Sequence, residues 1–288
     1  MKRQIGQTGI EVTAIGLGAM PLSIQGRPSE DQGIKVIYAA MDAGVTFIDT
    51  ANAYCHDEND VGHNERLIST ALRQRQHGAQ ITVATKGGCI RPGGDWGVDG
   101  RPEALRVACE KSLVDLNVSQ ITLYHWHTPD FSVPFEASVK MLKVLKEGGM
   151  ITHIGLSNVD QLQLEAALNI VRIEAIQNRL NPFCKRDLRS GLVDFCRQQS
   201  ITYIAYSPVG GHFQHTKAAD HPLFKELAQK HGESPFAIML AWALKSGSNI
   251  LPIPGASRVE SIVDSVRAMD VELTADDVKR IDDLPDSL

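Results

Sequence analysis

The sequence predicts an α/β fold, a closed (β/α)₈ TIM barrel with an N-terminal β-hairpin and extra helices toward its C-terminal end. Eight short apolar, β-rich runs recur in a steady rhythm: AIGLGAM, TFIDT, ITVATK, ITLYHWH, HIGLSN, AIQNRL, TYIAYS and ILPIPG. Helical patterns lie between them, and parallel strands need such crossovers. No Pro/Gly/Ser-rich linker or change of composition divides the 288 residues, so 1–288 reads as a single barrel domain.

Each element has a local cause. In KRQIGQTGIEVT two short stretches flank Gly6 and Gly9, as a hairpin requires. SEDQGIKVIYAAMDAG, NERLISTALRQR and PEALRVACEKSLVDLN repeat apolar residues every three or four positions behind Ser, Asn or Pro start signals. A helix pair, HPLFKELAQKHG then SPFAIMLAWALKSG, precedes the last strand, and TADDVKRIDDL closes the chain. An open dinucleotide-binding sheet would need G-x-G-x-x-G after the first strand. The GLG at 16–18 lacks the third glycine, and GGCIRPGG at 87–94 has the wrong spacing, so both read as turns.

Composition narrows the function classes. Hydrophobic residues make up 43% and charged residues 22%, enough for a full core. The net charge of -5 with scattered Lys and Arg argues against nucleic acid and for a small-molecule partner. MKRQIGQTG has no apolar run behind it, and Pro235 to Leu244 is too short to span a bilayer, so the reading is cytoplasmic without membrane attachment. The cysteines, Cys55, Cys89, Cys109, Cys184 and Cys196, are an odd number without a C-x-x-C pair, which suits reduced thiols and no structural metal.

In such a barrel the chemistry sits where the strands end at their C-termini. TFIDT ends in Asp49 with Tyr54 just beyond, ITVATK in Lys86 and ITLYHWH in His127. A tyrosine titrates near 10, so acid–base work near neutrality calls for a stabilised phenolate, which a lysine cation supplies. Asp49 would hold the lysine and His127 would orient a substrate oxygen. His125, two residues earlier, falls on the same strand face and reads as barrel lining, whereas Trp126 faces the helices.

This constellation resembles that of the aldo-keto reductase family, and the resemblance covers nearly the whole chain. IEVTAIGLGAM, GVTFIDTANAY, VATK and LYHWHTPD are similar to the family's first strand and its Asp/Tyr, Lys and His segments. GLSN, IQNRLNPF, AYSPVGG and PIPGASRVESI resemble its cofactor segments, in the family's order. The resemblance implies reduction of aldehydes or ketones to alcohols with NADP(H), Tyr54 being the proton donor within the four Asp49, Tyr54, Lys86 and His127. It implies that Ser157, Asn158 and Gln177 hold the nicotinamide carboxamide, that Tyr206 stacks on the ring and that Ser207 reaches the pyrophosphate. Gly255, Ser257 and Arg258 open the helix after the eighth strand, where backbone N–H groups favour phosphate. Asp264 matches a position at the adenine end. The partner is then a small carbonyl compound and the protein a monomer or weak oligomer.

Three positions depart from the family's pattern. Cys55 stands where Gly commonly follows the tyrosine, Ser265 where an Asn often meets adenine, and Ser261 where a longer polar residue is common. Cys55, if exposed near a cation, is also a candidate for redox sensitivity. Two other functions compete. A metal-dependent hydrolase is suggested by the H-x-H at His125 and His127, but it needs further His and carboxylate ligands. A cofactor-binding regulatory subunit would bind without turnover, against which stands the intact set of four.

Overall fold

The computed structural model describes residues 1–75, 78–211 and 214–287. A hairpin of β1 (Lys2–Gln4) and β2 (Glu11–Thr13) opens the chain, followed by β3 (Leu17–Gly18), β4 (Phe47–Asp49) and β5 (Thr82–Gly87). A second small hairpin, β6 (Cys89–Ile90) with β7 (Gly97–Val98), comes before β8 (Ile121–Trp126), β9 (Ile151–Ser157), β10 (Ala175–Arg179), β11 (Thr202–Tyr206) and β12 (Ile250–Ile253). The eight strands β3, β4, β5, β8, β9, β10, β11 and β12 are parallel, each paired with its neighbours in that order.

The helices are α1 (Glu30–Asp42), α2 (His63–Arg73), α3 (Pro102–Leu116), α4 (Phe135–Glu147), α5 (Gln161–Leu168), α6 (Arg186–Arg189) and α7 (Leu192–Gln198). After β11 come α8 (His215–Asp220), α9 (Pro222–His231) and α10 (Pro235–Lys245), and after β12 come α11 (Val259–Arg267) and α12 (Ala275–Asp282). Local chemistry starts them. Ser29 accepts from the Gln32 N–H at the start of α1, Ser234 does the same for Ala237 in α10, and Asp160 and Thr274 each close a reciprocal capping box.

Closure of the barrel depends on glycine. Gly16 N–H donates to Pro252 O at 3.0 Å and Gly18 N–H to Pro254 O at 2.9 Å, and a Gly18–Gly255 bridge joins the first strand to the last. A Cβ on Gly18 would lie 2.7 Å from the Ile253 carbonyl oxygen. No side chain fits where two backbones approach so closely.

Inside, Phe47, Ala84, Leu123, Ala175, Ile204, Leu251 and Ile253 meet Ile5 and Val12 of the first hairpin. That hairpin is fastened to the N-terminal ends of the strands: Gly6 N–H donates to Thr202 Oγ1, Gln7 N–H to Glu174 Oε2 and Arg3 Nε to Ile250 O. One end of the barrel is therefore plugged with apolar residues, and polar chemistry is confined to the other. The second shell of core, including Tyr124, Trp126, Tyr203 and Trp242, packs the helices onto the outside of the strands. Among the described residues no helix is long and apolar enough to cross a membrane.

Gly18→Ala tests the closure. The added methyl overpacks a backbone junction, so stability should fall by about 1–3 kcal/mol, which for a chain of this size lowers Tm by roughly 2–4 °C per kcal/mol. Urea unfolding indistinguishable from wild type would show that the strands can part at no cost.

Candidate active site

At the C-terminal end of the strands lies a cleft of about 680 Å³. Behind its lining residues Asp49 and Tyr54 lies Lys86, which is 0% exposed. Alternation along β5 turns Ala84 and Lys86 inward and Thr85 outward, where Thr85 Oγ1 donates to Glu65 Oε1 of α2. Lys86 Nζ donates to Asp49 Oδ2 at 2.6 Å, to the Thr50 carbonyl at 2.9 Å and to the Tyr54 hydroxyl at 2.9 Å. An ammonium has three N–H donors, and all three are engaged. Asp49 is 1% exposed, and its other oxygen accepts from Gln177 Nε2 at 2.7 Å. Burial pushes the Asp49 carboxyl up and the Lys86 ammonium down, and each opposes that shift in the other.

Tyr54 is reached through a turn in which its N–H donates to Ala51 O. Thr50 is held from behind, since its Oγ1 donates to Asn64 Oδ1, and Asn64 Nδ2 donates in turn to Ala19 O and Ser23 Oγ. Burial, reinforced by the Asp49 charge, holds the Tyr54 phenol well above its ordinary value. Sequence reasoning expected Lys86 to stabilise the phenolate form of a proton donor; at rest desolvation dominates, and the tyrosine keeps its proton.

His127 lies one residue past β8, its N–H donating to Gly87 O. Burial first, then the positive Lys86 and neighbouring His125, hold its imidazole well below the usual histidine value, so the ring is neutral. Nδ1 is enclosed without a partner, while His127 itself borders the cleft. His125 is 0% exposed inside the barrel, its ring lying where a Cβ on Gly155 would fall 2.3 Å away, and its pKa is pressed down to about 3 by burial. Trp126 faces outward and packs on Phe135, with ring centroids 5.2 Å apart. Among the described residues no group of three or more His, Cys, Asp or Glu is arranged to hold a metal ion.

Next to this group, β9, β10 and β11 end in Ser157, Asn158, Gln177, Tyr206 and Ser207, all lining the cleft. Ser157 Oγ donates to Gln177 O at 2.7 Å. Asn158, at φ 59°, donates through Nδ2 to His127 O and accepts the Tyr206 hydroxyl on Oδ1 at 2.8 Å. Gln177 spends its Nε2 on Asp49, and among the described residues no hydrogen bond reaches its Oε1. Farther along, Gly255, Ser257, Arg258, Ser261, Asp264 and Ser265 line the same cleft, with Glu260 among them. Arg258 occupies the N-cap position of α11 and its side chain makes no capping bond, unlike the serines, aspartate and threonine that cap α1, α10, α5 and α12. Asp264 Oδ2 accepts from Ser234 Oγ at 2.6 Å, which ties α11 to α10.

Two features escaped the sequence reading. Trp96, on the β6–β7 hairpin, walls the cleft with its ring centroid 6.4 Å from Tyr54 and 6.2 Å from His127. The available signal was an aromatic residue just past GGCIRPGG at 87–94, the stretch read as turns. Cys55 differs from expectation more sharply. It is 0% exposed, Sγ donates to Ala53 O, and burial raises its thiol to about 11 despite the Arg91 cation nearby. A redox role built on an exposed, ionised thiol is thereby removed.

A buried lysine, tyrosine and aspartate at the open end of a (β/α)₈ barrel, with a long cleft leading to an uncapped helix, define an oxidoreductase site for small carbonyl compounds. The family model described as "Aldo/keto reductase family" matches residues 14–286, and the chain belongs to that family. A Glycine max protein named "Probable aldo-keto reductase 1" is 33% identical over 96% of this chain and 87% of its own. Among solved structures, a thermostable aldo-keto reductase in complex with the inhibitor epalrestat aligns with TM-score 0.82 at 27% identity, covering 98% of both chains. The glycerol dehydrogenase of Gluconobacter oxydans aligns with TM-score 0.86 at 25% identity, covering 98% of this chain and 94% of that one.

Removing the counter-charge of Lys86 should be costly. Asp49→Asn leaves an unpaired buried cation, and a loss of about 3–5 kcal/mol is expected at neutral pH. In that variant the folded state releases the Lys86 proton at a lower pH than the unfolded chain, so stability should climb with pH toward the ordinary lysine value near 10.4. Urea midpoints at neutral and alkaline pH measure this; a deficit independent of pH would mean that Lys86 is not the group left unpaired.

Proposed function

We propose that the protein is a cytoplasmic NADPH-dependent reductase of aldehydes or ketones, with residues 1–288 acting as one barrel domain and Tyr54 as proton donor. The observation that carries this reading is the Tyr54 hydroxyl, which accepts from Lys86 Nζ at 2.9 Å and so keeps its own hydrogen for a ligand in the cleft.

The donor set fits a nicotinamide dinucleotide. Gln177 has its Oε1 left for a carboxamide N–H, with Ser157 and Asn158 beside it and the Tyr206 ring available for offset stacking. At the far end, the first-turn N–H groups of α11, Ser257 and Arg258 suit phosphate, and Gly255, without a side chain, lets a ligand approach the backbone closely. Ser207 would reach the pyrophosphate and Asp264 the adenine end, and both line the cleft. When bound, NADPH supplies the hydride that reaches the carbonyl carbon.

This chain's residues handle the oxygen. The Tyr54 and His127 ring centroids stand 5.7 Å apart, so a carbonyl oxygen seated between them can accept a hydrogen bond from each. The neutral His127, with Nδ1 enclosed, presents Nε2 as its donor. As charge builds on the oxygen, the Tyr54 proton moves to it. The phenolate left behind already has the Lys86 ammonium against it, so nothing must reorganise. Asp49 keeps Lys86 in place throughout.

Tyr54→Phe should retain NADPH affinity and lose about 10²–10⁴-fold in kcat, since it removes only the general acid. Near wild-type turnover of a reducible aldehyde would remove Tyr54 from the role. The coenzyme preference has its own test. A 2′-phosphate needs positive charge at the adenosine ribose, and Arg258 supplies it from the cleft wall. Arg258→Ala should raise KM for NADPH by roughly 10–150-fold, the equivalent of about 1.5–3 kcal/mol, and leave KM for NADH nearly unchanged. Equal losses for both coenzymes would show that Arg258 does not read the phosphate.

A further inference from the structure

Arg91 is a buried charge whose donors are mostly unused. It is 4% exposed. Nη2 donates to His56 O at 3.1 Å and to Gly94 O at 2.6 Å, while Nε and Nη1 have no hydrogen-bond partner. A guanidinium has five N–H donors, so three of them are enclosed and unsatisfied. Among the described residues no carboxylate pairs with it, although acids are plentiful in the loops around it. Glu58 accepts from Gly93 N–H, Asp57 from Asn59 N–H, and Asp60 is taken by Arg27 and His56 N–H, while Asp95 is exposed. Proteins seldom bury an arginine without an ionic partner, and here the face of Trp96 stands in for one.

The position of this cation connects it to the cleft. Its guanidinium carbon lies 4.2 Å from the centroid of Trp96, the indole that walls the cleft opposite Tyr54 and His127. Trp96 is 51% exposed, on a hairpin whose turn contains Gly93 and Gly94, both at positive φ. The indole borders the cleft and Arg91 does not, so the guanidinium meets the cleft wall through Trp96. The Arg91 charge also acts on Cys55, the neighbour of Tyr54.

We propose that Arg91 is the specificity residue for an anionic carbonyl substrate, whose carboxylate or phosphate group turns Trp96 aside and pairs with the guanidinium while its carbonyl sits at Tyr54. The reduction rests on the function proposed above; anion binding at Arg91 does not. The shared chemistry is an oxyanion, for which planar guanidinium donors are well suited. Hydride and proton go where they go for any aldehyde, so Arg91 changes which substrate is held and not the bonds that form and break.

Calorimetry on enzyme saturated with NADP⁺ tests binding, with benzoate, phenyl phosphate and the neutral benzamide as probes. A charge-assisted contact worth about 1.5–3 kcal/mol should make benzoate or phenyl phosphate bind roughly 10–150-fold more tightly than benzamide. Which anion is favoured separates carboxylate from phosphate recognition. The preference should vanish in Arg91→Met and survive in part in Arg91→Lys, which keeps the charge and guards against a variant that fails to fold. Equal binding of all three probes to wild type, or a preference that persists in Arg91→Met, overturns the proposal. Turnover supplies a second readout: the ratio of kcat/KM for 4-carboxybenzaldehyde to that for 4-methylbenzaldehyde, taken within one preparation, should fall in Arg91→Met by the same factor as benzoate affinity. If neither aldehyde oxidises NADPH while the anion preference holds, the reductase reading falls and the Arg91 site stands.

Discussion

The three-way contact of the Lys86 ammonium is the constraint on which the rest of the site depends. A charge with no exposure to water must find all of its hydrogen bonds inside the protein. Asp49, the Thr50 carbonyl and the Tyr54 hydroxyl supply them from one short segment at the end of β4. That segment is itself held from two sides, by Gln177 across the barrel and by Asn64 beneath it. Displacing any member leaves a buried charge unsatisfied, so the geometry is fixed without a bound ligand.

The barrel provides the conditions under which such a contact is worth having. The first hairpin plugs the N-terminal end with Ile5 and Val12, and glycines allow β3 and β12 to close the wall. The same alternation that turns Lys86 inward turns Thr85 outward to Glu65, whose carboxyl burial raises to about 7. Polar groups are thus buried on both faces of one strand, and each demands a partner from a different layer.

Electrostatics divides the cleft into regions. Around Tyr54 and His127 burial keeps the phenol protonated and the imidazole neutral, a pair of donors rather than a pair of charges. The only cation lining the cleft among the described residues is Arg258, at the α11 end, while Arg91 lies hidden behind Trp96 at the other.

Much of this was legible in the sequence because it is local. Short apolar, β-rich runs marked the eight strands, repeats of three or four residues marked the named helices, and polar residues closing apolar runs marked Asp49, Lys86 and His127 before any contact was known. The order of the motifs pointed to the family. What the chain could not display were quantities that exist only once distant segments meet. Gln177 reaches Asp49 across 128 positions, and Asp264 is bound to Ser234, a residue of another helix. Whether Tyr54 rests as phenol or phenolate, and whether Cys55 is reactive or inert, depended on the exclusion of water, a property of packing and not of neighbours in sequence. Arg91 read as part of a glycine-rich turn and Trp96, just beyond it, drew no reading, because their meaning lies in what they face. Sequence alone determined which groups stand at the strand ends, since alternation and periodicity are properties of the backbone. Only the tertiary structure decided their protonation and partners, because desolvation and hydrogen bonding between remote strands arise when the barrel closes.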